Sequence, residues 1–150
     1  MKIIPVIDVL NGIAVHGIRG ERKKYQPLKS LLCNSSNPAE IASSFESLGF
    51  SSLYLADLDA IMNNSPNYST YKQITENTTT LDLMVDAGIS DINKAEKVLE
   101  TGVSTIVIGS ETLTILDFIK KAVNKFGKNK VVVSIDQKNG KLLSASVSIS

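Results

Sequence analysis

Five short apolar runs rich in β-branched residues punctuate the chain: IIPVIDV at 3–9, SLYLADL at 52–58, LDLMVDAG at 81–88, STIVIG at 104–109 and KVVVSID at 130–136. Their hydrophobicity is nearly continuous rather than alternating, which suits strands covered on both faces, as in a parallel sheet. Between the runs the apolar positions change to helical spacing. After Asn37 and Pro38, a plausible N-cap and first helical residue, Ile41, Ala42, Phe45 and Leu48 share one face, and Gly49 can end the helix. A later helix starts near Ser90 or Asp91, buries Ile92, Ala95, Val98 and Leu99, and stops at Gly102. The last carries Ile115, Leu116, Ile119, Ala122, Val123 and Phe126 and stops at Gly127. A segment around 66–77 is the weakest helix, because Asn and Thr are poor helix formers.

The resulting order, β-α-β-α-β-α-β-α-β, demands right-handed crossovers and a parallel sheet. No linker or low-complexity tract divides it, so the pattern predicts a single domain. The first connection is the exception. Residues 10–36 are too many for a bare loop, and a short extra strand (IAVHG) followed by a basic loop (RGERKKY) is expected there.

In parallel α/β sheets, ligands sit beyond the carboxyl ends of the strands. Here those ends carry Asp8, Asp57 with Asp59, Asp86, Gly109-Ser110 and Asp136. Any one aspartate there could simply cap a helix or form a turn. The set together points to a polar functional face, on which two carboxylates in different surroundings can divide acid and base roles. The strand–Gly109–Ser110–helix turn could let a phosphate approach backbone N–H groups, although such turns are often only turns. His16 has no evident partner and reads as a non-catalytic strand or loop residue.

Composition narrows the classes. Hydrophobic content of 43% and charged content of 21% describe a soluble globular protein. Sixteen basic and fifteen acidic residues give no electrostatic case for nucleic acid or a membrane surface. No apolar run reaches the ~18 residues of a membrane span, and Pro5 and Asp8 make the N-terminus a poor signal peptide. One cysteine, Cys33, suits a reducing cytoplasm and reads as an incidental thiol. With one Cys and one His no zinc spacing exists, and the P-loop and dinucleotide fingerprints are absent. No cofactor is expected, though clustered carboxylates leave a magnesium site as a minority reading.

The chain also repeats itself. Ile7-Asp8-x-x-Asn11-Gly12 near the start returns as Ile135-Asp136-x-x-Asn139-Gly140 near the end. If βα unit five repeats unit one, a closed barrel of eight units would set the two aspartates across one pocket. The residues IIPVIDVLNGIAV, LYLADLDAI, VIGSETL and VVVSIDQKNGKL, in this order and spacing, resemble the isomerase family of histidine biosynthesis, over essentially the whole chain. The resemblance implies a TIM (β/α)8 barrel in the α/β class and a cofactor-free, aldose-to-ketose (Amadori) isomerisation of a phosphoribosyl aminoaldose. It implies Asp8 as the general base at the sugar C2 proton and Asp136 as the general acid that opens the ribose ring. Gly20 would lie in the substrate-covering first loop, and Gly88, Gly109 and Ser110 would line a phosphate site, with Asp57 among the substrate-binding candidates.

Two features depart from the family. Its Gly-Gly-Gly-Ile-Arg after the third strand reads Asp86-Ala87-Gly88-Ile89-Ser90 here, which removes a cation and adds an anion. A divergent paralogue with an altered phosphate site is therefore expected, with Asp86 protonated or turned away. The family is also longer, so residues 1–150 are expected to be a partial barrel, about four βα units plus strand five, whose exposed edges would let copies self-associate. The alternatives are a non-catalytic half-barrel and a flavodoxin-like regulatory domain with an acidic pocket.

Overall fold

The computed structural model describes residues 1–17, 24–30, 32–109, 116–135, 137–138 and 141–142. Five parallel strands form its spine: β1 (Val6–Leu10), β4 (Ser52–Asp57), β5 (Asp82–Asp86), β6 (Thr105–Gly109) and β7 (Val131–Ser134). β2 (Ile13–His16) and β3 (Gln26–Pro27) extend the β1 edge antiparallel, giving the order β3-β2-β1-β4-β5-β6-β7. A separate ribbon pairs β8 (Gln137–Lys138) with β9 (Lys141–Leu142). The helices are α1 (Pro38–Ser47), α2 (Leu58–Asn63), α3 (Tyr68–Asn77), α4 (Ile92–Leu99) and α5 (Leu116–Phe126).

The strand order decides between the expected architectures. Each parallel strand lies beside its predecessor, and the winding never reverses. A flavodoxin-type sheet requires a reversal at its switch point, so that alternative is overturned. Winding in one direction puts all crossover helices on one face, as in a (β/α) barrel. The burial pattern agrees. Ile7, Val9, Leu53, Leu55, Leu83, Val85, Ile106 and Ile108 form one apolar cluster with Ile41, Tyr71, Ile74, Val98 and Phe118 from the helices. The alternate positions Asp8, Tyr54, Ala56, Met84, Asp86 and Val107 therefore face the other side, the inside of the curved sheet.

Helix starts follow the expected chemistry. Asn37 Oδ1 accepts from Ala39 N–H at 2.9 Å ahead of Pro38, and Asp91 Oδ1 accepts from Lys94 N–H at 2.9 Å. The segment expected as the weakest helix is helical over Tyr68–Asn77, because Tyr71 and Ile74 are fully buried beneath it. α2 is the element that the hydrophobic pattern does not predict. The run 52–58 reads as one strand, but Asp57 ends it and caps a six-residue helix instead.

The repeated Asn-Gly has a plain explanation in the first copy. Asn11 and Gly12 both have positive φ (53° and 74°), and Leu10 pairs with Ile13, which makes a two-residue hairpin of the type Asn-Gly favours. In the second copy Lys138 pairs with Lys141, so strands of the same register flank Asn139 and Gly140.

Glu46, in the last turn of α1, ties that helix to the entry of β5. Its carboxylate accepts from Thr79 N–H (2.8 Å), Thr80 N–H (2.6 Å) and Thr80 Oγ1 (2.9 Å). These bonds, led by that from the Thr80 backbone, hold its pKa below the ordinary 4.5. A carboxylate lowered in the folded state contributes stability above its unfolded pKa and loses it as pH falls through the folded value. The urea midpoint of Glu46→Ala should therefore lie below wild type at neutral pH, and the gap should narrow as pH falls through and below the ordinary carboxylate range. A constant gap across that range would show that the carboxylate does not act this way.

Candidate active site at the carboxyl ends of the strands

The strand ends carry two kinds of aspartate. Asp57 is fully buried and points toward the helices. Its Oδ1 accepts from Ala60 N–H (3.0 Å) and Asn67 Nδ2 (2.9 Å), and its Oδ2 from Asn67 N–H (2.8 Å) and from the Tyr71 hydroxyl. Asn67 Nδ2 also donates to Asp59 Oδ2 at 2.9 Å. Burial, followed by the Asp57 carboxylate, pushes the Tyr71 hydroxyl far above its ordinary pKa, so it remains a donor. Asp57 thus caps α2, fixes the start of α3 and spends both oxygens within the protein. Asn67 and Tyr71 are functional to this frame and were not singled out by the sequence reading. The readable signal was Asp57-Leu58-Asp59-Ala60, an aspartate placed to cap the residue three positions on.

Asp8 and Asp86 belong to the other kind. The pairings Asp8↔Ala56 and Ala56↔Asp86 place them in one row on the inner face, with only an alanine between. Asp8 is half-buried, and its carboxylate leans over Gly17. A Cβ at Gly17 would come within 2.9 Å of Asp8 Oδ2 and 3.6 Å of the Tyr25 hydroxyl. Glycine at 17 therefore leaves the room that this carboxylate occupies.

Asp86 is 9% exposed. Its Oδ1 accepts from Gly88 N–H at 3.0 Å, and its Oδ2 accepts from the Tyr54 hydroxyl at 3.2 Å. Gly88 has a φ of 59°, and a Cβ there would stand 3.0 Å from Ile61 Cα, so the turn packs directly on α2. Lys94, half-buried in the first turn of α4, donates to the Gly88 carbonyl (3.1 Å) and Asn64 Oδ1 (2.9 Å). Burial lowers its pKa, while Asp91, Asp57 and Asp86 work in the opposite direction.

Gly109 ends β6 opposite Ser134 of β7, two residues beyond the Val107 that pairs with Asp86. Of the residues expected at the site, Asp8, Asp57, Gly88 and Gly109 are therefore placed. Gly20, Ser110 and Asp136 lie outside the described residues. Among the described residues no group of three or more His, Cys, Asp and Glu side chains could hold a metal ion, and no helix is long and apolar enough to cross a membrane.

A singly wound sheet with its polar row toward the strand ends is the geometry of a (β/α) barrel, and a family model described as histidine biosynthesis protein matches residues 2–150. The chain belongs to the histidine biosynthesis protein family, a TIM-barrel family. An uncharacterised protein of Methanocaldococcus jannaschii is 40% identical over 150 residues, covering 98% of this chain and 61% of that protein. The 1-(5-phosphoribosyl)-5-((5-phosphoribosylamino)methylideneamino)imidazole-4-carboxamide isomerase of Methanosphaera stadtmanae is 34% identical over 95% of this chain and 57% of its own length. The isomerase of the same name from Lactococcus lactis is 35% identical over 93% of this chain and 56% of its own. The chain thus spans about three-fifths of the length of these curated relatives.

If Asp57 is a framework residue, its loss should cost stability. Asp57→Ala strands the Ala60 and Asn67 donors and the Tyr71 hydroxyl, at about 1–3 kcal/mol for each buried orphan. Urea unfolding should register a loss of about 3 kcal/mol or more. A loss under about 1 kcal/mol would show that the network is dispensable.

Proposed function

We propose that the chain is the first part of an isomerase barrel that converts an aminoaldose phosphate into the corresponding aminoketose. The activity for which its isomerase relatives are named supports this reading. So does the position of Asp8, which faces the inside of the sheet from mid-β1, level with Ala56 and Asp86 near the carboxyl ends of β4 and β5. In the proposed reaction, Asp136 protonates the ribose ring oxygen as the C1–O bond breaks, and the nitrogen lone pair forms C1=N. Asp8 then removes the C2 proton to give the enaminol, which becomes the ketone as C1 gains a proton and the C2 hydroxyl loses one. Each step moves a proton between carbon or oxygen and a carboxyl group, and needs no cofactor.

In the same reading Gly109 and Ser110 line the substrate's phosphate end, Gly88 belongs to the neighbouring turn where that site has diverged, and Gly20 lies in the loop that covers the substrate. Asp57 serves the substrate through the frame it holds. The protein acts on a small sugar phosphate in the cytoplasm, with no nucleic-acid or membrane partner, and is a paralogue whose phosphate site has diverged at Asp86-Ala87-Gly88-Ile89-Ser90. A second reading, a non-catalytic half-barrel that self-associates, draws on the exposed Val132, Val133 and Ile135 at and just beyond β7.

The carrying observation is the inward-facing Asp8, and proton exchange at C2 tests it. In deuterated buffer the full chain should exchange the C2 proton of an aminoaldose 5-phosphate, and Asp8→Asn should slow this about 10²–10⁴-fold. Equal exchange in both proteins would remove Asp8 from the mechanism. No exchange in either, across a panel of aminoaldose phosphates, would favour the half-barrel.

A further inference from the structure

The names of the isomerase relatives contain two phosphoribosyl groups, and so two phosphates. At the end of β5, two donors that could meet a phosphate are engaged by Asp86. The Gly88 N–H is the donor that a glycine turn would offer to an anion, yet it is spent on Asp86 Oδ1 at 3.0 Å. The turn has little freedom to redirect it, because Gly88 sits at φ 59° with its missing Cβ directed at Ile61 Cα, 3.0 Å away. The Tyr54 hydroxyl, another donor on the same inner face, is likewise spent on Asp86 Oδ2 at 3.2 Å. Lys94, in the first turn of α4, donates to the Gly88 carbonyl and to Asn64 Oδ1.

An ionised carboxylate accepts hydrogen bonds and donates none. A phosphate dianion offers acceptors only. Side by side in a partly desolvated cleft, the two repel, while a hydroxyl or a protonated amine is attracted. Asp86 stands one alanine away from Asp8 in the same row, so a substrate whose C2 lies at Asp8 passes within reach of it.

We propose that Asp86, braced by Tyr54 and Gly88, is a specificity-determining residue: it rejects a phosphate at the end of β5 and selects a substrate group that donates hydrogen bonds, a sugar hydroxyl or an amine. The substrate then carries one phosphate fewer than that of the isomerase relatives. The inference rests on the isomerase reading for the identity of the substrate, but its test reads anion binding and needs no turnover.

The full chain, labelled with ¹⁵N, is titrated with inorganic phosphate while the Gly88 and Gly109 amide signals are followed. Wild type should leave Gly88 unmoved, and Asp86→Gly should gain saturable binding at Gly88, ~10-fold tighter or more. Asp86→Asn keeps an oxygen for the Gly88 N–H and removes the charge, so it should show a smaller gain even if the glycine variant folds poorly. In competition, wild type should prefer a mono- to a bis-phosphorylated aminoaldose by ~10-fold or more, and Asp86→Asn should narrow that ratio. Phosphate moving the Gly88 signal equally in wild type and Asp86→Asn would overturn the proposal. So would an unchanged preference between the two aminoaldoses. Absence of C2 exchange with these results intact would instead count against the isomerase reading alone.

Discussion

The arrangement of the strand ends depends on one buried carboxylate. Asp57 gathers the Ala60 amide, the Asn67 amide and side chain, and the Tyr71 hydroxyl around two oxygens. A charge fully enclosed among apolar residues is tolerated only when such donors surround it. The same bonds turn the chain sharply out of β4 into α2 and fix where α3 begins. α2 in turn supplies the backbone on which the Gly88 turn rests, 3.0 Å from where a Cβ would stand. The position of Asp86 is therefore set, through this turn, by an aspartate on the opposite side of the sheet.

That division gives each face one task. The outer face is apolar and holds the helices through Leu53, Leu55, Leu83, Val85, Ile106 and Ile108. The inner face carries Asp8, Tyr54 and Asp86, with Ala56 keeping the space between the carboxylates small and uncharged. Gly17 belongs to the same economy of space, because any side chain there would meet Asp8 Oδ2. Family membership supplies the barrel. At the end of β5, Asp86 stands on this inner face and is tied to the Gly88 N–H and the Tyr54 hydroxyl.

Much of the fold was legible in the sequence, since strands covered on both faces must be apolar throughout and helices with one buried face must show their period. Asn37, Asp91, Gly49, Gly102 and Gly127 marked helix ends because caps and left-handed stops have few chemical solutions. α2 escaped because six residues are too few to display a period, and Leu58 extends the apolar run before it. The site was less legible. Aspartates at strand ends look alike in sequence, and only their pairing separates Asp57, which faces the helices, from Asp8 and Asp86, which face the inside of the sheet. Tyr54 gave no local signal at all, because its partner lies 32 positions away across the sheet.

The most direct test of this division follows the carboxyl ¹³C signals of Asp8, Asp57 and Asp86 in the full chain. A reduced, non-reacting aminoketose 5-phosphate is added to saturation. Signals from Asp8 and Asp86 should move together along one binding curve while that of Asp57 stays fixed. Movement of Asp57 with Asp8 and Asp86 silent would contradict the account, because the ligand would then be meeting the frame rather than the inner face.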